Sequence, residues 1–215
     1  MSGEYELFLR ELTSEDPLAR VHGLEGLEGS EVLHEKRVLE RVRRLLSHDS
    51  DWLVRVSAAE ALGAFGDTSP DTLASLTTAL ETDGAPLVRA YAAESLAELN
   101  ATGSTKSIRG RLLREQEPHA RASMLMALAK LGDPSSLRVL LDLLEEVQDW
   151  ETQTAILHML QRLVNPENFL EIERSITDLR EARPQFDHEH RWFLQFLNEF
   201  DASGSNRSWP NEETR

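Results

Sequence analysis

Apolar residues recur along this chain at intervals of three and four, in blocks separated by short polar breaks rich in Gly, Pro, Asp and Ser. That is the period of an amphipathic helix. The clearest block runs from Asp51 to Asp67, where Val54, Ala58, Ala61, Leu62 and Phe65 fall on one helical face. Asp51 is placed to cap the first turn, and Gly66 to end the helix in a left-handed conformation. The chain writes this block about six times with decreasing fidelity. Aligned copies place Arg20, Arg55, Arg89, Arg121, Gln153 and Arg191 at one position, spaced by roughly 32 to 38 residues. A period of that length filled by helix pairs predicts a solenoid, whose units bury their apolar faces only against neighbours.

Partner helices are predicted between these copies: His34 to Ser47, Pro70 to Thr82, Gly103 to Glu115, Pro134 to Glu146 and Pro166 to Arg183. Ser69-Pro70, Asp133-Pro134 and Asn165-Pro166 each read as a capping residue followed by proline at the first helical position. A short leading helix, Glu4 to Leu12, would turn Leu7, Phe8 and Leu12 inward. The first copy, Asp16 to Leu27, contains Gly23 and Gly26, with Gly29 just beyond. Each glycine weakens a helix by about 1 kcal/mol relative to alanine, so this end is expected to be the loosest. The last copy, Asp187 to Phe200, carries Trp192, Phe193, Phe196, Leu197 and Phe200. It is too apolar for a free surface helix and predicts a lid over the last repeat, with a dimer or partner contact as the alternative. Residues 1–200 thus read as one array with atypical ends, and 201–215 as a disordered tail.

The run from Asp49 through Arg55 to Asp67 resembles the HEAT repeat, and more narrowly the HEAT-like class of the phycobilisome lyases. The likeness spans about Ser14 to Phe200, strongest in the middle. It implies an all-α, right-handed α-solenoid of about six helix pairs. It also implies a hydrogen-bonded ladder between an acid in the turn and the arginine of the second helix. At a six-residue separation the matching residues are Asp49 with Arg55, Asp83 with Arg89 and Glu115 with Arg121. Ser14 with Arg20, Val147 with Gln153 and Gln185 with Arg191 depart from it, which predicts a weaker ladder at both ends. The di-iron hydroxylases built from such repeats carry His-Glu pairs just after the arginine. Here those positions read His22-Gly23, Ser57-Ala58, Tyr91-Ala92, Ser123-Met124, Ala155-Ile156 and Phe193-Leu194, so that chemistry is not expected.

Charge narrows the partner class. The chain has 215 residues and a formal net charge of -15, which opposes polyphosphates and anionic membranes and favours basic partners. The basic side chains are almost all arginine; the three lysines are Lys36, Lys106 and Lys130. With no cysteine, neither disulfides nor thiolate metal sites are possible. No apolar run approaches a membrane span, and Met1 to Arg10 lacks a signal-peptide pattern, so a soluble, cytoplasmic protein is expected. The chain contains no glycine-rich phosphate loop, nucleophile elbow or His-Glu-x-x-His helix, and no catalytic residue or cofactor is predicted. Asp187-His188-Glu189-His190 could approach a metal, but i and i+2 positions diverge on a helix, so no metal site is predicted there.

The face expected to bind is the wall of successive second helices. Its column runs through Glu25, Glu60, Tyr91, Glu94, Met126, His158 and Arg162, acidic at one end and apolar at the other. Such a wall suits a partner segment that is basic on one side and apolar on the other. Trp52 and Trp150 are expected to shield turns between repeats. The function read from this pattern is a non-enzymatic adaptor. The alternative implied by the resemblance is an accessory chromophore lyase or isomerase using His158 and Arg162. A weaker option is nucleic-acid contact through Arg37, Arg41, Arg44, Arg109 and Arg111, since Lys36, Arg37, Arg41, Arg43 and Arg44 share one predicted helix and Lys106, Arg109, Arg111 and Arg114 another.

Overall fold

The structure, a computed structural model, describes residues 3–27 and 35–202. Among these are twelve α-helices and no strand. They are α1 (Gly3–Glu11), α2 (Pro17–Glu25), α3 (Lys36–His48), α4 (Trp52–Ala64), α5 (Pro70–Thr82), α6 (Pro86–Glu98), α7 (Thr105–Leu112), α8 (Pro118–Lys130), α9 (Pro134–Glu146), α10 (Trp150–Gln161), α11 (Phe169–Ala182) and α12 (Asp187–Ala202). Contacts divide the chain into two compact units, Met1–Val139 and Leu140–Arg215. The expected tail beyond residue 202 lies outside the described residues, as does Gly29.

The first unit is a two-layered α-solenoid. Second helices α2, α4, α6 and α8 pack in sequence, and first helices α3, α5 and α7 form the other layer, each against its own second helix. The apolar stripe read at Val54, Ala58, Ala61, Leu62 and Phe65 is buried throughout. Asp51 accepts the Leu53 amide as N-cap, and Gly66 ends the block at φ +67, where a side chain would strain the backbone. α6 and α8 are sheathed more completely still. Their residues Val88, Ala92, Met124 and Leu128 are all at or near zero exposure, as expected for helices covered on several sides.

Gly23 and Gly26 let α1 lie directly on α2. A Cβ at Gly23 would stand 2.9 Å from the Phe8 carbonyl, and one at Gly26 would stand 2.3 Å from the Phe8 ring. Leu7 points outward, 43% exposed, while Phe8 and Leu12 face in. α11 begins at Phe169 and not at Pro166, because Asn165 Oδ1 accepts the Glu167 and Asn168 amides and closes a separate turn first. The helix predicted over Gly103 to Glu115 is likewise shorter, led in by a 3₁₀ turn at Thr102–Ser104.

In the second unit α12 packs on α10 and α11. Phe193 and Leu197 are fully buried. The Phe169 and Phe200 rings stack with centroids 6.1 Å apart, and Phe196 bridges Phe193 and Phe200 at 5.6 and 6.3 Å. Trp192 stays 38% exposed. The helix therefore supplies core with one face and leaves an aromatic edge on the other.

Candidate functional site

The repeat arginines form a spine whose register differs from the sequence expectation. Arg55 Nε and Nη2 donate to the two carboxylate oxygens of Asp83 at 2.8 and 3.0 Å, while Nη1 donates to the Asp49 carbonyl at 2.9 Å. Arg89 repeats this with Glu115 at 2.7 and 2.8 Å and the Asp83 carbonyl at 2.9 Å. The carboxylate thus comes from the following repeat, and the acid six residues back offers only its backbone. This corrects the within-repeat pairs of Asp49 with Arg55, Asp83 with Arg89 and Glu115 with Arg121. It also gives Arg20, which has no acid at Ser14, a partner: Nη2 donates to Asp49 at 2.8 Å, with Nε 2.7 Å away but poorly aligned for a hydrogen bond.

Each spine acid also receives turn amides. Asp49 takes that of Asp51, Asp83 that of Ala85, and Glu115 those of Gln116 and Glu117. Burial alone would raise the Glu115 carboxyl, but hydrogen bonds from Arg89, the Glu117 amide and Arg111 outweigh it and hold it at about 2. The Arg55 guanidinium is raised, foremost by its hydrogen bond to Asp83.

Position 147, the next acid position, is valine, and the second unit uses a different arrangement. Gln153 donates to the Leu144 and Val147 carbonyls at 2.8 and 3.0 Å. Arg183, at the end of α11, reaches the Leu144, Glu145 and Val147 carbonyls and the Gln148 amide oxygen at 2.7 to 3.2 Å. Its guanidinium carbon lies 4.7 Å from the Phe186 ring centroid. The charge has moved from the second helix to the end of the first. Sequence reasoning passed over Arg183; the signal was a neutral residue at the arginine position followed by a basic residue near the expected acid. Arg191 pairs with Asp187, whose carboxyl is lowered first by its hydrogen bond from Arg180. His190 is fully buried with both ring nitrogens unpartnered among the described residues, and burial lowers its pKa. His188 is exposed, so the two imidazoles of that tetrad face opposite surroundings.

Helices α2, α4 and α6 carry Glu25, Glu60 and Glu94 at equivalent positions, the first two exposed and Glu94 half-buried beside the half-buried Tyr91. One turn on, Lys130 of α8 pairs with Glu98 at 2.6 Å. The column does not continue as expected through Met126. That side chain is 0% exposed and belongs to the core, because α8 is enclosed on that side. The positions two after the arginine are also interior at Ser57, Ser123 and Phe193. In the second unit, His158 and Arg162 are exposed, and the His158 ring meets that of Trp192 at 4.9 Å. Trp52 and Trp150 open each of their helices at 47% and 61% exposure.

The two basic clusters separate. Arg109 pairs with Asp133 at 2.8 Å, Arg111 with Glu115 at 3.1 Å, and Arg114 donates to its own helix at Gly110. Asp133 is held at about 2 by hydrogen bonds from Ser135 and Arg109. On α3, Arg43 donates to Thr72 and lies 3.7 Å from Asp67. Arg37, Arg41 and Arg44 instead line open clefts. No helix is long and apolar enough to cross a membrane among the described residues.

Comparison with curated proteins finds no match. Among solved structures, the chain is similar to one described as the complex of CpcE and CpcF of phycocyanin lyase from Nostoc sp. PCC7120. The two are 16% identical over 91% of this chain and 94% of that one, with a TM-score of 0.48. The family model for HEAT repeats matches residues 5–97 and 73–161. The matched span covers both layers of the first unit and the spine arginines Arg20, Arg55 and Arg89, and the chain belongs to the HEAT-repeat family.

Proposed function

We propose that the protein is a non-enzymatic adaptor that holds a basic segment of a partner protein on the second-helix face of its first unit. The observation carrying this reading is the row of Glu25, Glu60 and Glu94 on successive helices α2, α4 and α6. The packing of α2 on α4 and α4 on α6 sets these residues one repeat apart, so a partner must match that interval to engage the row. Rim carboxylates of this kind steer and orient a cationic segment, and Tyr91 offers an aromatic anchor beside them. The test is affinity capture from native extract with wild type and a Glu60→Arg, Tyr91→Ala, Glu94→Arg variant shown to be folded by circular dichroism. A defined protein retained by the first and lost from the second supports the adaptor; an unchanged set of partners overturns it.

The His158–Trp192 ring pair with Arg162 one turn on favours a second reading for the other unit. There an exposed aromatic edge, with the two rings tilted at 58° and Arg162 nearby, would hold an acidic, planar chromophore such as a tetrapyrrole in a lyase-like accessory role. Absorbance titration with a free bilin checks it. A spectral shift lost in a Trp192→Ala, His158→Ala variant is expected on this reading, and no shift in wild type excludes it.

A further inference from the structure

The first-helix layer has an opening that the adaptor reading does not use. α3 packs on α5 and α5 on α7, whereas α1 turns onto α2. Between α1 and α3 this leaves a cleft of about 390 Å³ floored by Leu9, Leu12 and Val38. It adjoins a second cleft of about 420 Å³ along α3, and Arg37 and Arg41 line both.

The cationic groups here differ from those elsewhere on the layer. Arg43, Arg109 and Arg111 are absorbed by Asp67, Asp133 and Glu115 of neighbouring turns. Arg41 spans the cleft and donates to the Leu12 carbonyl at 3.0 Å, which fixes its guanidinium at the floor. Arg10 and Arg44 are exposed and have no side-chain partner among the described residues. Arg37 is 75% exposed; its Nε donates to Glu35 at 2.7 Å, and its two terminal nitrogens, without a partner among the described residues, face the cleft mouth. Arg37, Arg41 and Arg44 follow i, i+4, i+7 spacing and so share one face of α3 for two turns, about 10 Å.

We infer that this arginine-lined cleft is a docking site for an acidic amphipathic helix of a partner protein. Carboxylates on successive turns of that helix would meet Arg37, Arg41 and Arg44, and its leucine-type side chains would cover Leu9 and Val38. Guanidinium forks suit carboxylates, and the apolar floor gives a peptide something to bury that a free anion lacks. Glu6 and Glu40 sit among the arginines. They interrupt the positive surface, which suits carboxylates set one turn apart better than the dense, continuous charge of a nucleic acid. The site lies on the layer opposite the glutamate row, so it stands or falls independently of the adaptor reading.

Fluorescence anisotropy of a labelled peptide of roughly four helical turns, built from Glu, Leu and Ala in amphipathic spacing, tests the assignment at about 50 mM salt. A Lys-for-Glu version and a single-stranded oligonucleotide serve as the other probes. We expect saturable binding of the acidic peptide, weakened at least tenfold by Arg10→Glu with Arg44→Glu and unchanged by Glu60→Arg with Glu94→Arg. Both arginines are exposed and their exchange leaves the spine intact, as circular dichroism would verify. No binding of the acidic peptide, equal binding by the arginine variant, or arginine-dependent binding of the oligonucleotide in its place would each overturn the site.

Discussion

Arg89 and Glu115 show what a single residue does in this spine. Their side chains are 7% and 2% exposed, and every strong donor of one meets an acceptor of the other or of the adjoining backbone. Arg89→Ala leaves the buried Glu115 carboxylate with Arg111 as its remaining cation among the described residues, and is expected to cost about 2 kcal/mol in denaturant unfolding. Arg89→Met with Glu115→Leu should recover part of that loss, since it removes the buried carboxylate and leaves only the partly exposed Arg111 to turn to water. If the double variant is no better than the single one, the bidentate pair is not what Arg89 contributes. Met126 is the contrasting residue. Read from the sequence as part of a binding wall, it sits at 0% exposure, so Met126→Ala should destabilise by about 2–4 kcal/mol and leave surface binding untouched.

Among elements, close approach explains more than helix propensity. Gly63 of α4 lies where a Cβ would stand 2.8 Å from Ser95 Oγ and 3.0 Å from Ser95 Cα on α6. Ser95 itself donates across to the Ala59 carbonyl at 2.8 Å, tying the two helices at that point. Gly110 of α7 faces open space. Alanine at 63 should therefore destabilise by about 1–3 kcal/mol through overpacking, whereas alanine at 110 should stabilise by about 0.5–1 kcal/mol by restricting the unfolded chain. Thermal denaturation of the two variants side by side decides it, and equal effects would discard the close-packing account. Gly23 and Gly26 follow the same logic at the α1–α2 contact. A pattern of glycines that lowers intrinsic helicity marks the place where two backbones meet.

Across the whole molecule, the two units should respond to acid at different pH. His190 is buried neutral in the second unit, with Arg183, Arg180, Asp187 and Glu189 as its charged neighbours, and its pKa lies below the usual value of about 6.5. The unfolded chain then binds the extra proton, so stability is fully present above about 6.5 and declines as pH falls below it. Glu115 in the first unit is held at about 2 against an ordinary value of 4.5. Its contribution persists above about 4.5 and is lost between there and about 2. Segment-resolved hydrogen exchange should show α12 opening as pH falls below about 6.5 while α6 and α7 remain protected. Simultaneous opening would contradict the assignment, and His190→Phe should remove the early phase.

The sequence by itself determined the helix pairs, their period, the capping acids and the buried stripe of each second helix, because these depend on spacing within one or two turns. Pro70–Thr82 and Pro134–Glu146 were legible to the residue. Only the tertiary structure decided which repeat an acid serves. Asp83 lies six residues before Arg89 but gives its carboxylate to Arg55, 28 residues before it, and stacking distance is invisible along the chain. The same reason governs the candidate sites. Glu25, Glu60 and Glu94 could be read as a column from the period, yet whether Met126 extended it depended on what encloses α8. The arginine cleft depended on α1 turning toward α2 and away from α3, a choice set by the Gly23 and Gly26 contacts with Phe8 and Glu11 and carried by no local pattern.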